Sequence, residues 1–259
     1  MFFKKTRYYA GFFSFNNMDI FQLTVLWIII GLIIFPVNLI YKAPYGRHAS
    51  KKWGISIDNK LGWIIMELPA LLICPAIYFY LKIDLDLSTM FICLWIIHYF
   101  NRTIIFPFRI KTKGKKMPLA IVLSAFFFNI VNGSINGYFL SNINLHSVSI
   151  FLITGFLLFV LGLYINISSD NKLINLRKIK KGYFVPKGGL FKYISCPNFF
   201  GEILEWFGFA LMTFNIGSLS FFIWTCCNLI PRALAHHKWY KNKFNEYPKE
   251  RKAILPYLI

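Results

Sequence analysis

Two groups of polar residues near the C-terminus have the types and spacing of a binding or catalytic site. The first recurs at i, i+4 and i+7 in an apolar stretch, on one face of a predicted helix: Asn198, Glu202 and Glu205. The second recurs every four residues on the next predicted helix: Arg232, His236 and Tyr240. Carboxyl groups on so apolar a helix are costly unless they meet a partner or a ligand. The two faces are complementary in charge and close in sequence, so they are predicted to bound one site.

Two further candidates lie deep inside apolar stretches. Glu67 stands two residues before Pro69 with no cation nearby in the sequence, and a buried carboxyl group resists ionisation because burial disfavours its charged form. Such a group is either a neutral hydrogen-bond donor for a ligand or a side chain that bonds a neighbouring helix, and both interpretations stay open. Tyr99, beside His98, is by itself more typical of packing than of catalysis.

Two more polar patterns follow helical spacing. One alternates with Gly133 and Gly137, and by itself favours contact between helices: Asn129, Asn132 and Asn136. The other falls at i, i+4 and i+11 where a later apolar stretch ends: Asn166, Asp170 and Arg177. An exposed helix would show the second pattern by chance, but its position beside the two C-terminal faces favours a shared site.

The composition places these residues in a membrane. Of the 259 residues, 57% are hydrophobic and 19% aromatic, which is too apolar for an ordinary soluble domain. Lipid requires every spanning backbone group to be paired internally. We therefore predict an all-α integral membrane protein, one domain over residues 1–259, built as a single bundle of seven transmembrane helices. The predicted spans are Ile20–Tyr41, Leu61–Leu81, Leu87–Pro107, Pro118–Leu140, Ser147–Ile167, Asn198–Phe214 and Ser218–Ala235.

The distribution of charge predicts the orientation of the bundle. Basic residues concentrate in the loops after the first, third, fifth and seventh spans, whereas the intervening loops hold little besides Lys82. The positive-inside rule then places the N-terminus outside and the C-terminus in the cytosol. The formal charge of +19 fits this topology and phosphate-bearing ligands better than nucleic acid. The Lys-rich, aromatic tail from Lys238 to Ile259 predicts a helix on the membrane surface. The spacing of the five cysteines indicates no metal site.

The residue patterns leave two classes of function open. The sequence contains no GxGxxG, P-loop, HExxH or Ser-His-Asp pattern. A polar pocket of mixed charge that opens to the cytosol suits a lipid-modifying enzyme with an anionic soluble cosubstrate. It suits a small transporter nearly as well.

Short motifs along nearly the whole chain resemble the steroid 5-alpha-reductase family. In the first half they are Tyr45-Gly46-Arg47-His48, Glu67-Leu68-Pro69, His98-Tyr99-Phe100, and Asn132-Gly133 with Gly137-Tyr138. In the second half they are Asn166-Ile167-Ser168-Ser169-Asp170, Leu176-Arg177-Lys178, Pro186 to Phe191, Asn198 to Trp206, and Glu246-Tyr247-Pro248-Lys249. The C-terminal motifs are shared more loosely with isoprenylcysteine carboxyl methyltransferases and sterol reductases. The motifs at Glu67 and Tyr99 narrow the choice to the 5-alpha-reductases.

This resemblance implies NADPH-dependent reduction of a carbon–carbon double bond conjugated to a ketone, as in 3-oxo-delta-4 steroids. It implies that Glu67 and Tyr99 are catalytic and hydrogen-bond the carbonyl oxygen of the substrate, which Trp63 and Tyr45 help to bind. The implied contacts of the nicotinamide are Asn198, Glu202, His236 and Tyr240. The implied contacts of the diphosphate and adenosine are Asn166, Asp170, Arg177, Arg102 and Arg232. No metal is implied.

Two positions depart from the family pattern. The family commonly has Gln where this chain has Met66, so one polar contact near the substrate carbonyl is missing. Phe184 replaces an arginine expected near the cofactor, and Lys187 and Lys181 are candidates to take its place.

Related functions remain alternatives. The same fold serves reductases of a polyprenol or an enoyl thioester, and a lipid methyltransferase using S-adenosylmethionine or a small transporter is a weaker alternative. The expected partners are a hydrophobic steroid-like or lipid substrate that enters from the bilayer, and membrane lipid, without nucleic acid or an obligate protein partner. A bacterial homologue is predicted, so the expected location is the bacterial inner membrane, or the endoplasmic reticulum if the protein is eukaryotic.

Overall fold

Helices account for most of the fold. The computed structural model describes residues 19–41, 46–48, 53–110, 114–145, 147–179 and 182–259. The helices are α1 (Ile20–Ile40), α2 (Asn59–Leu81), α3 (Thr89–Phe100), α4 (Phe106–Arg109), α5 (Leu119–Ser141), α6 (Ile150–Ile179), α7 (Pro197–Thr213) and α8 (Ile216–Lys243). A π-helical segment, Asn101–Ile105, joins α3 to α4 into the continuous helix Thr89–Arg109. Short 3-10 turns lie at Gly46–His48 and Gly189–Lys192.

Within the described ranges, six helices are long and apolar enough to cross a membrane: Ile20–Ile40, Asn59–Leu81, Thr89–Arg109, Leu119–Ser141, Ile150–Lys178 and Ile216–Lys243. They correspond to six of the seven predicted spans, so a multi-helix membrane protein is confirmed. The remaining predicted span, Asn198–Phe214, corresponds to α7, which has 17 residues and is shorter than these six. Six spans are therefore supported by length and composition, and the predicted seventh is not confirmed.

A short antiparallel β-ribbon, which the sequence did not predict, sets the start of two helices. Strand β1 (Ser56–Asp58) pairs with β2 (Lys116–Pro118), so that Ser56 stands opposite Pro118. Three-residue strands are too short to show an alternating pattern. Because β1 leads directly into α2 and β2 into α5, the ribbon starts these two helices side by side.

Glycines then keep α2 and α5 in close contact along their length. A Cβ atom at Gly137 would lie 2.7 Å from the carbonyl oxygen of Cys74, and one at Gly133 would lie 3.4 Å from the Cys74 nitrogen. A real side chain at Gly137 does not fit so close to backbone, so the two helix axes approach more closely there than a larger residue would allow. The contact between helices that the sequence indicated is confirmed for this face of α5.

A second glycine contact joins α6 to α7. A Cβ atom at Gly155 would lie 2.6 Å from the carbonyl oxygen of Gly208, and one at Gly201 would lie 2.5 Å from the backbone nitrogen of Asn166. Gly162 faces the backbone of Glu205 even more closely. The close approach brings the polar residues at the end of α6 against the polar face of α7.

We expect Gly162→Ala to destabilise the protein, because the new methyl group meets backbone atoms that cannot rotate away. Overpacking of this kind costs roughly 1–3 kcal/mol. The unfolding temperature of the detergent-purified variant should therefore lie about 2–12 °C below that of the parent. Leu157→Ala on the same helix, where the side chain is 61% exposed, is the control and should leave the unfolding temperature nearly unchanged. Equal unfolding temperatures for Gly162→Ala and the parent would contradict the proposed contact.

Helix α1 packs against α8 and exposes the rest of its surface. The Trp224 indole Nε1 donates a hydrogen bond to the Trp27 carbonyl oxygen at 3.0 Å, and Gly31 lies directly under the Trp224 ring. Apolar side chains such as Ile33, 62% exposed, cover the outer face. An exposed apolar face of this length is suited to contact with lipid.

A polar cluster closes the end of the bundle where α2 meets α3. Lys82 Nζ contacts Asp86 Oδ2 at 3.2 Å and donates to the carbonyl oxygen of Ile143. The hydrogen bond from the Ser88 hydroxyl, with help from Lys82 and the Leu145 amide, lowers the pKa of Asp86 to about 2. Asp86 is therefore ionised at neutral pH and keeps Lys82 paired, which explains how a lysine is accommodated at this end.

The C-terminal tail does not form the predicted membrane-surface helix. Helix α8 ends at Lys243, and the tail returns to pair with the segment before α7 through a parallel bridge between Ile194 and Lys252. The Ser195 hydroxyl contacts His237 Nδ1 and the Tyr247 hydroxyl, both at 2.6 Å. Proline at two positions in the tail, Pro248 and Pro256, opposes continuation of the helix. That prediction was therefore wrong.

Candidate active site

Two hydrogen bonds between α2 and the continuous helix Thr89–Arg109 set the depth of the two predicted catalytic residues. The Trp95 indole donates to the Ala70 carbonyl oxygen at 2.8 Å, and the Trp63 indole donates to the Arg102 carbonyl oxygen at 3.0 Å. The two contacts are equally spaced along both helices, which run in opposite directions. Residues midway between them therefore lie side by side, and these are Glu67 on α2 and His98-Tyr99 on α3.

The Glu67 carboxyl group has a single hydrogen-bond partner among the described residues. Asn129 Nδ2 on α5 lies 3.4 Å from Glu67 Oε2 and 2.6 Å from the Met66 carbonyl oxygen. The amide is buried, at 5% exposed. Glu67 therefore has capacity for a hydrogen bond to a ligand.

Tyr99 is fixed by an aromatic cluster and not by its hydroxyl group. Its ring lies 4.9 Å from the Trp95 ring, 6.0 Å from Trp206 and 6.4 Å from Phe221. Only 3% of the residue is exposed, and the part of the chain that the structure describes offers its hydroxyl no hydrogen bond. Packing thus orients the ring and leaves the hydroxyl able to bind a ligand.

Arg102 connects this pair to the predicted cofactor residues. Its Nη1 lies 3.8 Å from Asp170 Oδ2, and its Nη2 lies 3.9 Å from Glu202 Oε2. The guanidinium group lies over the rings of Trp63 and Phe106, at 5.0 and 5.1 Å. Both ion-pair distances exceed those of a direct hydrogen bond. The guanidinium N–H groups therefore retain capacity for an anionic ligand.

The proximity of Arg102 corrects one expectation. The sequence indicated no cation near Glu67, but the charges of Arg102 and Glu202 act on the Glu67 carboxyl group, and Glu67 in turn acts on Tyr99. Arg102 lies within the π-helical segment Asn101–Ile105, and such segments often occur at functional sites. The local spacing of residues in the sequence predicts neither this π-helical segment nor the interaction of Arg102 with Glu67.

The polar ends of α6 and α7 form one hydrogen-bond network. Asn166 Nδ2 donates to the Asn198 carbonyl oxygen at 3.0 Å and to Glu202 Oε2 at 3.2 Å. Asn198 Nδ2 donates to Asp170 Oδ1 at 3.1 Å. All four residues were predicted from their helical spacing or from the family motifs. The structure brings them together around Arg102.

The α8 face adjoins this network through one aromatic residue. The Arg232 guanidinium lies 5.4 Å from the Phe199 ring, and the His236 ring lies 5.5 Å from the same ring. His236 also stacks on His48, with ring centroids 5.2 Å apart. Since Phe199 follows Asn198 on α7, the faces of α7 and α8 are adjacent, as their spacing predicted.

The outermost predicted residues, Tyr240 and Arg177, line one small cleft with Tyr183. The Arg177 guanidinium lies 5.7 Å from the Tyr183 ring, and its charge acts on Asp170. Tyr240 is 3% exposed and stacks on Tyr247, with ring centroids 5.4 Å apart. These residues continue the network toward the surface. Tyr45, the second predicted substrate contact, lies outside the described residues.

One buried pair of polar side chains was not predicted from the sequence. His98 Nδ1 lies 2.7 Å from Glu205 Oε1, and the two residues are 2% and 0% exposed. Glu205 was expected to share the face of Asn198 and Glu202, but its partner is His98, directly beside Tyr99. Sequence spacing gives no signal for this contact, because the two residues lie on helices far apart along the chain.

The chain is similar to a known enzyme family over most of its length. A family model described as 3-oxo-5-alpha-steroid 4-dehydrogenase matches residues 115–259. A steroid 5-alpha-reductase of Arabidopsis thaliana is 40% identical over 230 residues, covering 84% of this chain and 88% of the relative. The 3-oxo-5-alpha-steroid 4-dehydrogenase 1 of Bos taurus is 37% identical over 244 residues, covering 89% and 93%. The human protein of that name is 36% identical over 241 residues, covering 89% and 92%. These relatives are plant and mammalian, and a bacterial origin stays a prediction.

Proposed function

Because the chain belongs to the 3-oxo-5-alpha-steroid 4-dehydrogenase family of CH–CH oxidoreductases, we propose that it reduces the delta-4 double bond of a 3-oxo steroid, or of a similar enone lipid, with NADPH. The observation that carries the proposal is the placement of Glu67 beside Tyr99. Both groups have capacity for a hydrogen bond, and both adjoin the polar network around Arg102.

In the proposed reaction, Glu67 and Tyr99 bind the carbonyl oxygen of the enone. NADPH, when bound, supplies the hydride that is added to the beta carbon of the double bond. Negative charge then develops on the carbonyl oxygen, where donors aimed at it stabilise the transition state. A carboxyl group kept neutral in an apolar site can be such a donor. A proton taken up at the alpha carbon completes the reduction.

The side chains around Arg102 suit a dinucleotide phosphate. Amide and carboxyl groups of Asn198 and Glu202 can hydrogen-bond the carboxamide of the nicotinamide, and His236 and Tyr240 offer ring surface beside them. Charge-assisted bonds to the phosphates would come from Arg102, Arg177 and Arg232. Asn166 and Asp170 complete the set at the adenosine end. NADPH is preferred over NADH because its additional phosphate matches the excess of Lys and Arg.

We propose that the site opens to the cytosol and that the substrate arrives through lipid. The basic loops place the C-terminus in the cytosol and the N-terminus outside. On this topology α7 would be the seventh span, because its 17 residues reach about 26 Å, close to the roughly 30 Å of the hydrocarbon core. A polyanionic cofactor cannot pass through lipid, whereas a steroid-like substrate can enter sideways beside Trp63.

The proposal is tested by NADPH oxidation with a panel of enones and related lipids. We expect the detergent-purified protein to oxidise NADPH with a 3-oxo-delta-4 steroid and to saturate its delta-4 bond, as detected by mass spectrometry. A polyprenol and an enoyl thioester serve as the alternative substrates. If the protein reduces one of these and none of the ketone enones, the site belongs to another reductase of the same fold.

The cofactor site is tested by binding without turnover. We expect Arg177→Ala and Arg232→Ala to weaken NADPH binding in isothermal titration, on the order of 10-fold each, because each loses a charge-assisted bond to phosphate. Lys178→Ala, which removes an exposed neighbouring charge, is the matched control and should bind NADPH as the parent does. If both arginine variants keep the parent affinity, the cofactor lies elsewhere.

A further inference from the structure

The contact between Asn129 and Glu67 fixes how the side-chain amide is oriented. Asn129 Nδ2 lies 2.6 Å from the carbonyl oxygen of Met66, which can only accept a hydrogen bond. The nitrogen of the amide, and not its oxygen, must therefore face this carbonyl. The second N–H of the same nitrogen is then available to Glu67 Oε2, at 3.4 Å. This distance is long for a hydrogen bond, but catalytic contacts are often long before substrate binds and shorten in the complex.

This orientation determines which oxygen of a neutral Glu67 carries the proton. Oε2 receives an N–H from Asn129, so it serves as the acceptor, and in a carboxylic acid the acceptor is the carbonyl oxygen. The hydroxyl of the acid is then at Oε1. A Glu67 without this neighbour could place its proton on either oxygen and rotate freely between both arrangements.

We infer that Asn129 is a positioning residue for enone reduction, which holds the Glu67 carboxyl group with its proton on Oε1 for donation to the substrate carbonyl. The inference rests on the proposed role of Glu67. The family commonly has a Gln at the position of Met66, which places an amide beside the glutamate. In this chain Asn129 supplies an amide beside Glu67 from a neighbouring helix. The Met66 side chain itself packs in an apolar cluster with Met117 and Val122.

The packing of α2 against α5 explains how a short side chain reaches Glu67. Gly133 and Gly137 allow the backbone of α5 to approach Cys74, and Asn129 lies on the same face, one turn before Gly133. Polar and small residues of this face thus have separate tasks: the glycines bring the helices together, and Asn129 orients the acid. Contact between helices alone would not require an amide within reach of both Met66 and Glu67.

The test is a double-mutant cycle with the enone that the parent reduces. We expect Asn129→Leu, which keeps the approximate size of the side chain, to lower kcat on the order of 10-fold while leaving the NADPH Kd unchanged. In a Glu67→Gln background the same substitution should lower kcat much less, because residues that act through one another are not additive.

The matched control is Asn132→Leu, on the same face of α5, fully buried, and with its side-chain oxygen hydrogen-bonded to Asn136. A purely structural role of Asn129 predicts equal losses of thermal stability and kcat in both variants, and equal effects of Asn129→Leu in the two backgrounds. Either result overturns the inference. If Asn129→Leu keeps the kcat of the parent while Glu67→Gln is impaired, the positioning role of Asn129 is overturned and the proposed function stands.

If Glu67→Gln keeps the kcat of the parent, the proposed role of Glu67 is overturned, and the positioning role of Asn129 with it.

Discussion

Glu67→Gln is expected to lower kcat for enone reduction severely, on the order of 10²- to 10³-fold, as for loss of one donor to a developing oxyanion. The variant keeps the size of the side chain but replaces the acid by an amide. An amide still donates a hydrogen bond, so residual activity is expected. The measurement is steady-state NADPH oxidation by the detergent-purified variant with a 3-oxo-delta-4 steroid.

The cofactor must stay bound for this result to bear on the chemistry. The ion pairs of Arg102 among the described residues are with Asp170 and Glu202 and not with Glu67, so the NADPH affinity of Glu67→Gln should equal that of the parent. Leu72→Ala, on the lipid-exposed face of the same helix, is the control for a general effect on α2 and should turn over normally. If Glu67→Gln turns over substrate as fast as the parent, Glu67 is instead a side chain that only hydrogen-bonds a neighbouring helix.

Local helical spacing was sufficient to predict part of the candidate site. Residues four apart on one helix face the same neighbour, so the grouping of Asn166 with Asp170 and of Asn198 with Glu202 follows from the sequence. The bonds between the two helices confirm it. The resemblance to the reductase family added Glu67 and Tyr99, whose individual patterns favoured packing at least as strongly.

Contacts between distant segments could not be predicted in this way. The pairing of His98 with Glu205 depends on how α3 meets α7, and the position of Arg102 depends on a π-helical segment with no local signature. The β-ribbon is likewise set by two short segments far apart along the chain. In each case the residue types were visible in the sequence, but the partner is chosen by tertiary packing.

The candidate site therefore combines a rigid support with few direct bonds to Glu67 and Tyr99. Glycines hold α2 against α5 and α6 against α7, and aromatic rings enclose Tyr99. The hydroxyl of Tyr99 and one oxygen of Glu67 are left for a ligand within the described residues. A scaffold that fixes donors in advance stabilises charge without reorganisation during the reaction.

Tyr99→Phe is expected to lower kcat/KM on the order of 10²-fold, the effect of removing one transition-state donor. The substitution keeps the ring and its packing against Trp95 and Trp206, so the unfolding temperature should stay close to that of the parent. Tyr78→Phe is the matched control, because Tyr78 is also fully buried but its hydroxyl contacts Thr89 at 3.3 Å, away from the site. It should lower stability slightly and leave kcat/KM unchanged. If Tyr99→Phe instead behaves as Tyr78→Phe does, Tyr99 is a packing residue and Glu67 alone binds the carbonyl oxygen.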